Sequence, residues 1–319
     1  MPASSVRSFA DPDEYATSIR ASKIQLAITG RGNFAAKLVR VDLHQLWLQR
    51  LDDNLPRIAP AANLKGRAII MFRSGSGPEL LRNGRPMEPF ELWRCAESQE
   101  SYSRSTGQAI NSTMSLPIED MVKFGAEMAG FDFAPPAFEQ IVTPPPDALS
   151  TLHRIHATAV YLAEYAPEII ANPDAARGLE QELIQSLVQC LTPADRRADI
   201  AGSRSHNRVM KRFRFMLEAN PDRAIHLPEL CTAIGVSGRL LRVCCQEYLG
   251  MGPVRYLWLR RMHLARRALA LADRSTTTVT EIATAHGFWE LGRFSVSYRA
   301  LFGEQPSSTL WRPPALRQS

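Results

Sequence analysis

The sequence predicts an α+β protein with a β-rich N-terminal region and an all-α C-terminal domain. Short apolar runs alternate with turn residues between residues 34 and 116, and after the prolines at 144–146 the apolar residues recur at helical spacing. A helical pattern then occurs twice near the C-terminus. The 319 residues are enough for two domains with separate cores. We predict a β-rich domain over 1–146, a helical linker over 147–202 and a helical domain over 203–319.

Strand signals in the N-terminal region are short and closely spaced. Residues 34–43 roughly alternate between apolar and polar, residues 68–72 are apolar, and Asn83-Gly84 is typical of a hairpin turn. Several short strands joined by turns favour a small barrel or sandwich.

Two helical stripes follow, and each must be covered by another surface. One comprises Leu149, Leu152, Ile155 and Ala159, and the other comprises Leu179, Leu183, Leu187 and Leu191. Two alternatives remain open at this point: the stripes pack on the β-rich domain, or they form a dimer interface. The polar stretch from Thr192 to Ser205 is the predicted hinge between domains.

Composition favours a cytoplasmic protein that does not enter a membrane. Hydrophobic residues make up 45% of the chain, no window approaches the length of an apolar membrane span, and the first residues lack the apolar core of a secretory signal. The five cysteines show no CxxC pair, so we expect buried reduced thiols rather than disulfides or a zinc site.

The positive charge is concentrated in the C-terminal third. The whole chain carries +6, whereas residues 203–319 contain 18 Lys or Arg against 8 Asp or Glu, a net charge of +10. Of these 18 cations, 17 are Arg. Because guanidinium groups bind phosphate and guanine through two parallel hydrogen bonds, this composition favours a polyanionic partner.

The same pattern of helices occurs twice in this basic region. LCTAIGVSGRLLRVCCQEYLGMGP (230–253) aligns with IATAHGFWELGRFSVSYRALFGEQP (282–306), with an offset of 52 before the turn and 53 after it. Gly235 and Gly287 lie where a short helix ends, and Thr278 with Glu281 has the spacing of a capping box. A helix, a tight glycine turn and a second helix form the helix-turn-helix plan, in which the second helix enters a DNA major groove.

The second copy predicts which side chains face inward. Phe294, Tyr298 and Phe302 recur every four residues and are expected to pack inward, whereas Arg293 and Arg299 point elsewhere. We interpret Trp258 and Trp289 as packing residues.

A continuous helix is predicted between the two copies. Residues 253–271 would span about 28 Å as one helix. Successive major-groove faces lie roughly 34 Å apart, so this connector could hold two reading helices over neighbouring turns of one duplex.

These residues resemble the AraC/XylS family of bacterial transcription regulators. The resemblance covers about residues 205–312 and is closest at VTEIATAHGF (279–288), RFSVSYRALFGEQP (293–306) and YLGMGPVRYLWLRRMHLARRAL (248–269). It implies a two-lobed helical domain that binds double-stranded promoter DNA and usually activates transcription, often through RNA polymerase. In family members an N-terminal cupin-like barrel commonly binds a small-molecule effector, and dimerisation helices follow it, so a homodimer is a further expectation.

The resemblance also implies a set of DNA-contacting positions. They are Ser237, Arg239, Arg242 and Val243 on the first reading helix and Gly292, Arg293, Val296 and Arg299 on the second. Arg239 and Arg242 suit guanine O6 and N7, and Arg299 is better placed for a phosphate. Many relatives carry a polar or basic residue where Val296 stands, which predicts fewer direct base contacts by the second helix.

No catalytic residues, metal site or cofactor are predicted. His44 is the single histidine before residue 150, and we expect His153 and His156 to lie on a partly exposed helix surface. Five aromatic residues are candidate pocket liners but are more typical of core: Trp47, Phe72, Phe90, Trp93 and Tyr102. Two rival hypotheses are a metal-dependent barrel enzyme with a DNA-binding tail and a regulator whose barrel is a ligand-free dimerisation scaffold.

Overall fold

The computed structural model describes residues 1–192, 195–198, 201–220, 225 and 227–312. The chain divides into two compact units. Unit 1 comprises 1–26, 34–54 and 59–201, and unit 2 comprises 27–33, 55–58 and the chain from Gly202 onward. The predicted hinge between Thr192 and Ser205 lies partly outside the described residues.

Strands dominate the first half of the chain, and helices dominate the second. The strands are β1 (Ala3–Phe9), β2 (Ser22–Ile24), β3 (Ala27–Ile28), β4 (Ala36–Asp42), β5 (Trp47–Asp53), β6 (Arg57–Asn63), β7 (Arg67–Arg73), β8 (Leu80–Arg82), β9 (Arg85–Pro86), β10 (Leu92–Cys95), β11 (Glu100–Ser105), β12 (Ala109–Pro117), β13 (Gln140–Thr143) and β14 (Asp195–Ala198). The helices are α1 (Pro12–Ser18), α2 (Ile118–Ala129), α3 (Pro146–Tyr165), α4 (Pro167–Ala171), α5 (Pro173–Leu191), α6 (Ala201–Glu218), α7 (Leu227–Ile234), α8 (Gly238–Leu249), α9 (Pro253–Leu271), α10 (Val279–Ala285), α11 (Leu291–Phe302) and α12 (Pro306–Trp311).

The described strands form two open sheets rather than the cupin-like barrel that the resemblance implies. The larger sheet has the order β1-β4-β5-β12-β7-β10-β13-β14, and the smaller has the order β2-β6-β11-β8-β9 with β3 beside β6. A barrel requires the two edge strands to pair, and here β1 and β14 lie at opposite edges of the larger sheet. Met71 and Trp93 of the larger sheet share a buried cluster with Leu80 of the smaller one. The prediction of a β-rich region is confirmed, and the closed barrel is not.

The predicted hairpin turn lies between β8 and β9. Asn83 and Gly84 both have positive φ, at 50° and 81°. Asparagine and glycine tolerate this left-handed conformation better than other residues, so the Asn-Gly pair allows β8 and β9 to pair as adjacent antiparallel strands.

The two apolar helical stripes are covered within unit 1. Leu152 of α3 and Leu187 of α5 belong to one buried cluster with Val39, Phe72 and Met114 of the larger sheet. Buried residues of that sheet and of α3 and α5 therefore form a single core. Of the two alternatives for the stripes, packing on the β-rich domain is the one observed.

Two predictions about individual side chains in unit 1 are wrong. His156 is 3% exposed and packs edge-on against Phe72, although we expected it at a partly exposed surface. Burial, followed by the nearby His153 and Arg50, lowers the pKa of His156 to about 3, so the imidazole is neutral at pH 7. Phe90, a candidate core or pocket residue, is 52% exposed.

Within the described residues, no helix is long and apolar enough to cross a bilayer.

Candidate DNA-binding interface

Unit 2 contains two helix-turn-helix units with the same backbone plan. In α7–α8 the turn glycine Gly235 has φ 68°, and in α10–α11 the equivalent Gly287 has φ 76°. Each second helix ends at a left-handed glycine as well, Gly250 with φ 68° and Gly303 with φ 76°. The repeat in the sequence is therefore a repeat in structure.

Side-chain capping at the helix starts differs between the two units. Ser237 Oγ accepts a hydrogen bond from the Leu240 N–H at 3.2 Å and starts α8. Thr278 and Glu281 form the predicted capping box at the start of α10. Glu290, at the start of α11, makes no capping hydrogen bond within the described chain and pairs with Arg293 at 2.9 Å. The first reading helix is thus capped by a side chain and the second is not.

Aromatic side chains hold α11 against the rest of its lobe. Phe294 and Tyr298 are 2% and 0% exposed, and their ring centroids lie 5.6 Å apart. Tyr298 lies 4.7 Å from Phe302, and its hydroxyl pairs with Thr309 Oγ1 at 2.7 Å. Burial raises the pKa of Tyr298 to about 12. The predicted inward aromatic face is confirmed.

The helix α9 connects the two lobes and has the predicted bounds, Pro253–Leu271. Near its start, Tyr256 packs against Phe213 of α6 with a centroid separation of 5.8 Å. Further along, Met262 and Ala265 belong to the cluster that contains Phe294. One continuous helix therefore contributes to both cores, which limits relative movement of α8 and α11.

The structure leaves the predicted DNA-contacting positions open to solvent. The exposed positions are Ser237, Arg239, Arg242 and Val243 around α8, and Gly292, Arg293, Val296 and Arg299 on α11. Ser237 combines this exposure with its capping role. The buried sides of the same helices pack against α9 and the first helix of each pair.

Several arginines of this unit bind backbone carbonyls, a role that the net charge does not reveal. Arg212 Nη1 donates to the Ile234 carbonyl at 3.2 Å, and Arg261 Nη1 donates to the Gly287 carbonyl at 3.2 Å. Arg260 donates to two carbonyls near the end of α6. A guanidinium from another helix thus stabilises each helix-turn-helix turn. No sequence signal separates these arginines from those facing solvent.

The two tryptophans of this unit differ from each other. Trp258 is half-buried against the core of the second lobe, with the Arg255 guanidinium 4.1 Å from its ring, so its interpretation as a packing residue is confirmed. Trp289 is 80% exposed at the turn before α11, so the same interpretation is wrong for it.

Comparison with known proteins places this unit in a family. Residues 230–312 match the family model described as a helix-turn-helix domain. The XylDLEGF operon transcriptional activator 2 of Pseudomonas putida is 32% identical over 115 residues, which cover 36% of this chain and 71% of that protein. The chain belongs to the AraC/XylS family.

Two further similar proteins differ in how much of their length matches this chain. The "Probable thc operon regulatory protein" of Rhodococcus erythropolis is 40% identical over 98 residues, which cover 31% of this chain and 30% of that protein. The AraC-like transcriptional activator CuxR, a solved structure, is 13% identical and covers 83% of this chain and 96% of its own, with a TM-score of 0.41. The sequence similarity to the Rhodococcus protein therefore concerns about a third of each molecule.

Proposed function

We propose that this protein is a sequence-specific transcription regulator that binds promoter DNA through α8 and α11 and activates transcription. The observation that carries the proposal is the pair of helix-turn-helix units whose exposed helix faces bear arginines and are joined by one helix packed into both cores. The relatives named above as operon regulators support it.

The proposed binding mode combines contacts with base edges and contacts with the phosphate backbone. Arg239, Arg242 and Arg293 read base edges in two consecutive major grooves, and Arg299 binds a phosphate. The +10 charge of residues 203–319 supports attraction to the phosphate backbone. Arg293 must exchange its exposed ion pair with Glu290 for a contact to DNA, a small cost at a solvent-exposed site.

Regulation is proposed to reside in unit 1, which senses a small-molecule effector. Supporting this, the side-chain oxygens Ser101 Oγ, Ser105 Oγ and Asn111 Oδ1 are buried in β11 and β12 and have no hydrogen-bond partner among the described residues. A buried polar atom without a partner is costly, and a ligand can supply the missing hydrogen bond. Effector binding would shift the population of DNA-binding-competent molecules. Contact with RNA polymerase and a homodimeric state belong to the same proposal.

Footprinting with the full chain tests DNA binding. At moderate salt we expect the protein to protect a defined site on a promoter fragment, spanning two neighbouring major grooves. Arg239→Ala should weaken binding to that site about 5- to 140-fold and binding to random DNA much less, because a bidentate guanine contact contributes about 1–3 kcal/mol. Arg177→Ala, which removes an exposed arginine from unit 1, is the charge-matched control. Absence of any protected site would refute the proposal.

Thermal denaturation tests the effector. A metabolite that binds unit 1 should raise the melting temperature of the wild-type protein, with about 2.7 kcal/mol of stabilisation at 100 times its Kd. Asn111→Leu should reduce that increase selectively if its oxygen contacts the ligand. A compound that raises the melting temperature of both proteins equally does not bind through Asn111.

A further inference from the structure

The two proposed reading helices expose a valine at the same position. Val243 lies six residues after Ser237 and seven before the left-handed Gly250, and Val296 lies six residues after Glu290 and seven before the left-handed Gly303. Their exposed fractions are 49% and 72%. The two isopropyl groups are therefore equivalent in the duplicated unit and accessible in both copies.

A single exposed apolar residue is common on protein surfaces and carries no conclusion by itself. Here the repeated register and the neighbouring side chains are informative. Arg239 lies four residues before Val243, and Arg293 and Arg299 lie three residues on either side of Val296, so each valine shares a helix face with arginines. On both helices an apolar group thus lies within the face that the proposed function directs at DNA.

Base chemistry specifies what an isopropyl group can recognise in a major groove. An isopropyl group can neither donate nor accept a hydrogen bond. If it covered the amino group of adenine or cytosine, or the N7 and O6 atoms of guanine, it would displace water without replacing the hydrogen bonds of that water. Among the four bases, thymine is the one that presents an apolar group in the major groove, its C5 methyl. Contact between the two apolar groups is favourable because both lose water.

We propose that Val243 and Val296 are specificity-determining residues that select thymine at equivalent positions of two half-sites. The proposal rests on the proposed function, because it requires α8 and α11 to enter consecutive major grooves. Half-sites one helical turn apart place the two thymines about 10–11 base pairs apart. It also gives the second helix a base contact in addition to that of Arg293, although Val296 is not polar.

Deletion of single methyl groups from DNA tests this proposal. A binding site is first selected with the full-length protein from a random duplex library, and each thymine is then replaced in turn by deoxyuridine, which lacks only the C5 methyl. For the wild-type protein we expect one sensitive thymine in each half-site, with Kd rising about fourfold at each, the factor that corresponds to burying one methyl group.

The valine variants assign each thymine to its helix. Val243→Ala should abolish the effect of deoxyuridine at one sensitive thymine and leave the other unchanged, and Val296→Ala should do the reverse. Val254→Ala is the matched control, because Val254 is 64% exposed and lies on α9 outside both reading helices. Alanine has a higher helix propensity than valine, so the variants are expected to fold, and their melting temperatures check this.

Restoring the methyl group on another base provides a second measurement. Replacing a sensitive thymine–adenine pair by cytosine–guanine should weaken wild-type binding, and 5-methylcytosine at that position should recover part of the loss. The matching valine-to-alanine variant should show no recovery.

The outcomes separate this inference from the proposed function. If a selected site is footprinted but deoxyuridine has the same effect on the wild type and both valine variants, the thymine assignment is wrong and the DNA-binding function stands. A selected site without thymines 10–11 base pairs apart also overturns the assignment. If selection enriches no site at all, the proposed function fails and this inference fails with it.

Discussion

The two helix-turn-helix units share their backbone geometry and differ in how they are stabilised. Both use left-handed glycines at the turn and at the end of the second helix. The first unit has a side-chain cap at Ser237 and buries Cys244 and Cys245, whereas the second has an uncapped α11 fixed by the aromatic residues Phe294 and Tyr298. A duplicated backbone can therefore be maintained by different side chains, while the second helix of each unit keeps an exposed face.

The largest expected losses of unfolding free energy come from substitutions in the cores of the two units. Phe294→Ala should lower the free energy of unfolding by about 3–5 kcal/mol, and the equivalent Leu241→Ala by about 2–5 kcal/mol, since the larger side chain leaves the larger cavity. Urea denaturation followed by circular dichroism measures both. A greater loss for Leu241→Ala would show that the aromatic residues are not what holds α11 in place.

A smaller effect is expected from the feature that the units share. Gly235→Ala should lower the free energy of unfolding by about 1–2 kcal/mol, because φ at this residue is 68°, although the described residues leave room for an added Cβ. Gly178→Ala in α5, where space is equally free and φ is not positive, should instead raise it by about 0.5–1 kcal/mol. Thermal melts of the two variants should shift in opposite directions, and a shift in the same direction would contradict this account of the turn.

The smallest expected effects concern the starts of the helices. Ser237→Ala should lower the free energy of unfolding by about 1 kcal/mol through loss of the cap on α8. Glu290→Ala at the equivalent position should change it by no more than about 0.5 kcal/mol, because its ion pair with Arg293 is exposed. Equal losses in chemical denaturation would mean that α11 also depends on its first residue.

The sequence predicts features that depend on local conformational preference. The glycine turns, the capping box at Thr278, the hairpin at Asn83 and the bounds of α9 each follow from a few neighbouring residues, and the structure confirms them. The exposure of Arg293 and Arg299 also follows from the four-residue spacing of the aromatic residues of α11. Their contacts with DNA remain predictions.

Other features depend on residues that are distant in sequence. The burial of His156 against Phe72, the exposure of Trp289 and the hydrogen bonds of Arg212 and Arg261 to turn carbonyls have no local signal. Each depends on which element packs beside the residue. The net charge of the region does not distinguish Arg212 and Arg261 from the arginines that face solvent.

The sequence by itself determined the duplicated helix-turn-helix plan, the helix between the copies and the charge of the C-terminal region, because backbone preferences and net charge are properties of short segments and of composition. The tertiary structure decided that the described strands form two open sheets, that α3 and α5 pack on the larger sheet, and which arginines bind turn carbonyls. Strand pairing and burial depend on contacts between residues far apart in the chain, and these contacts exist only after the elements have packed.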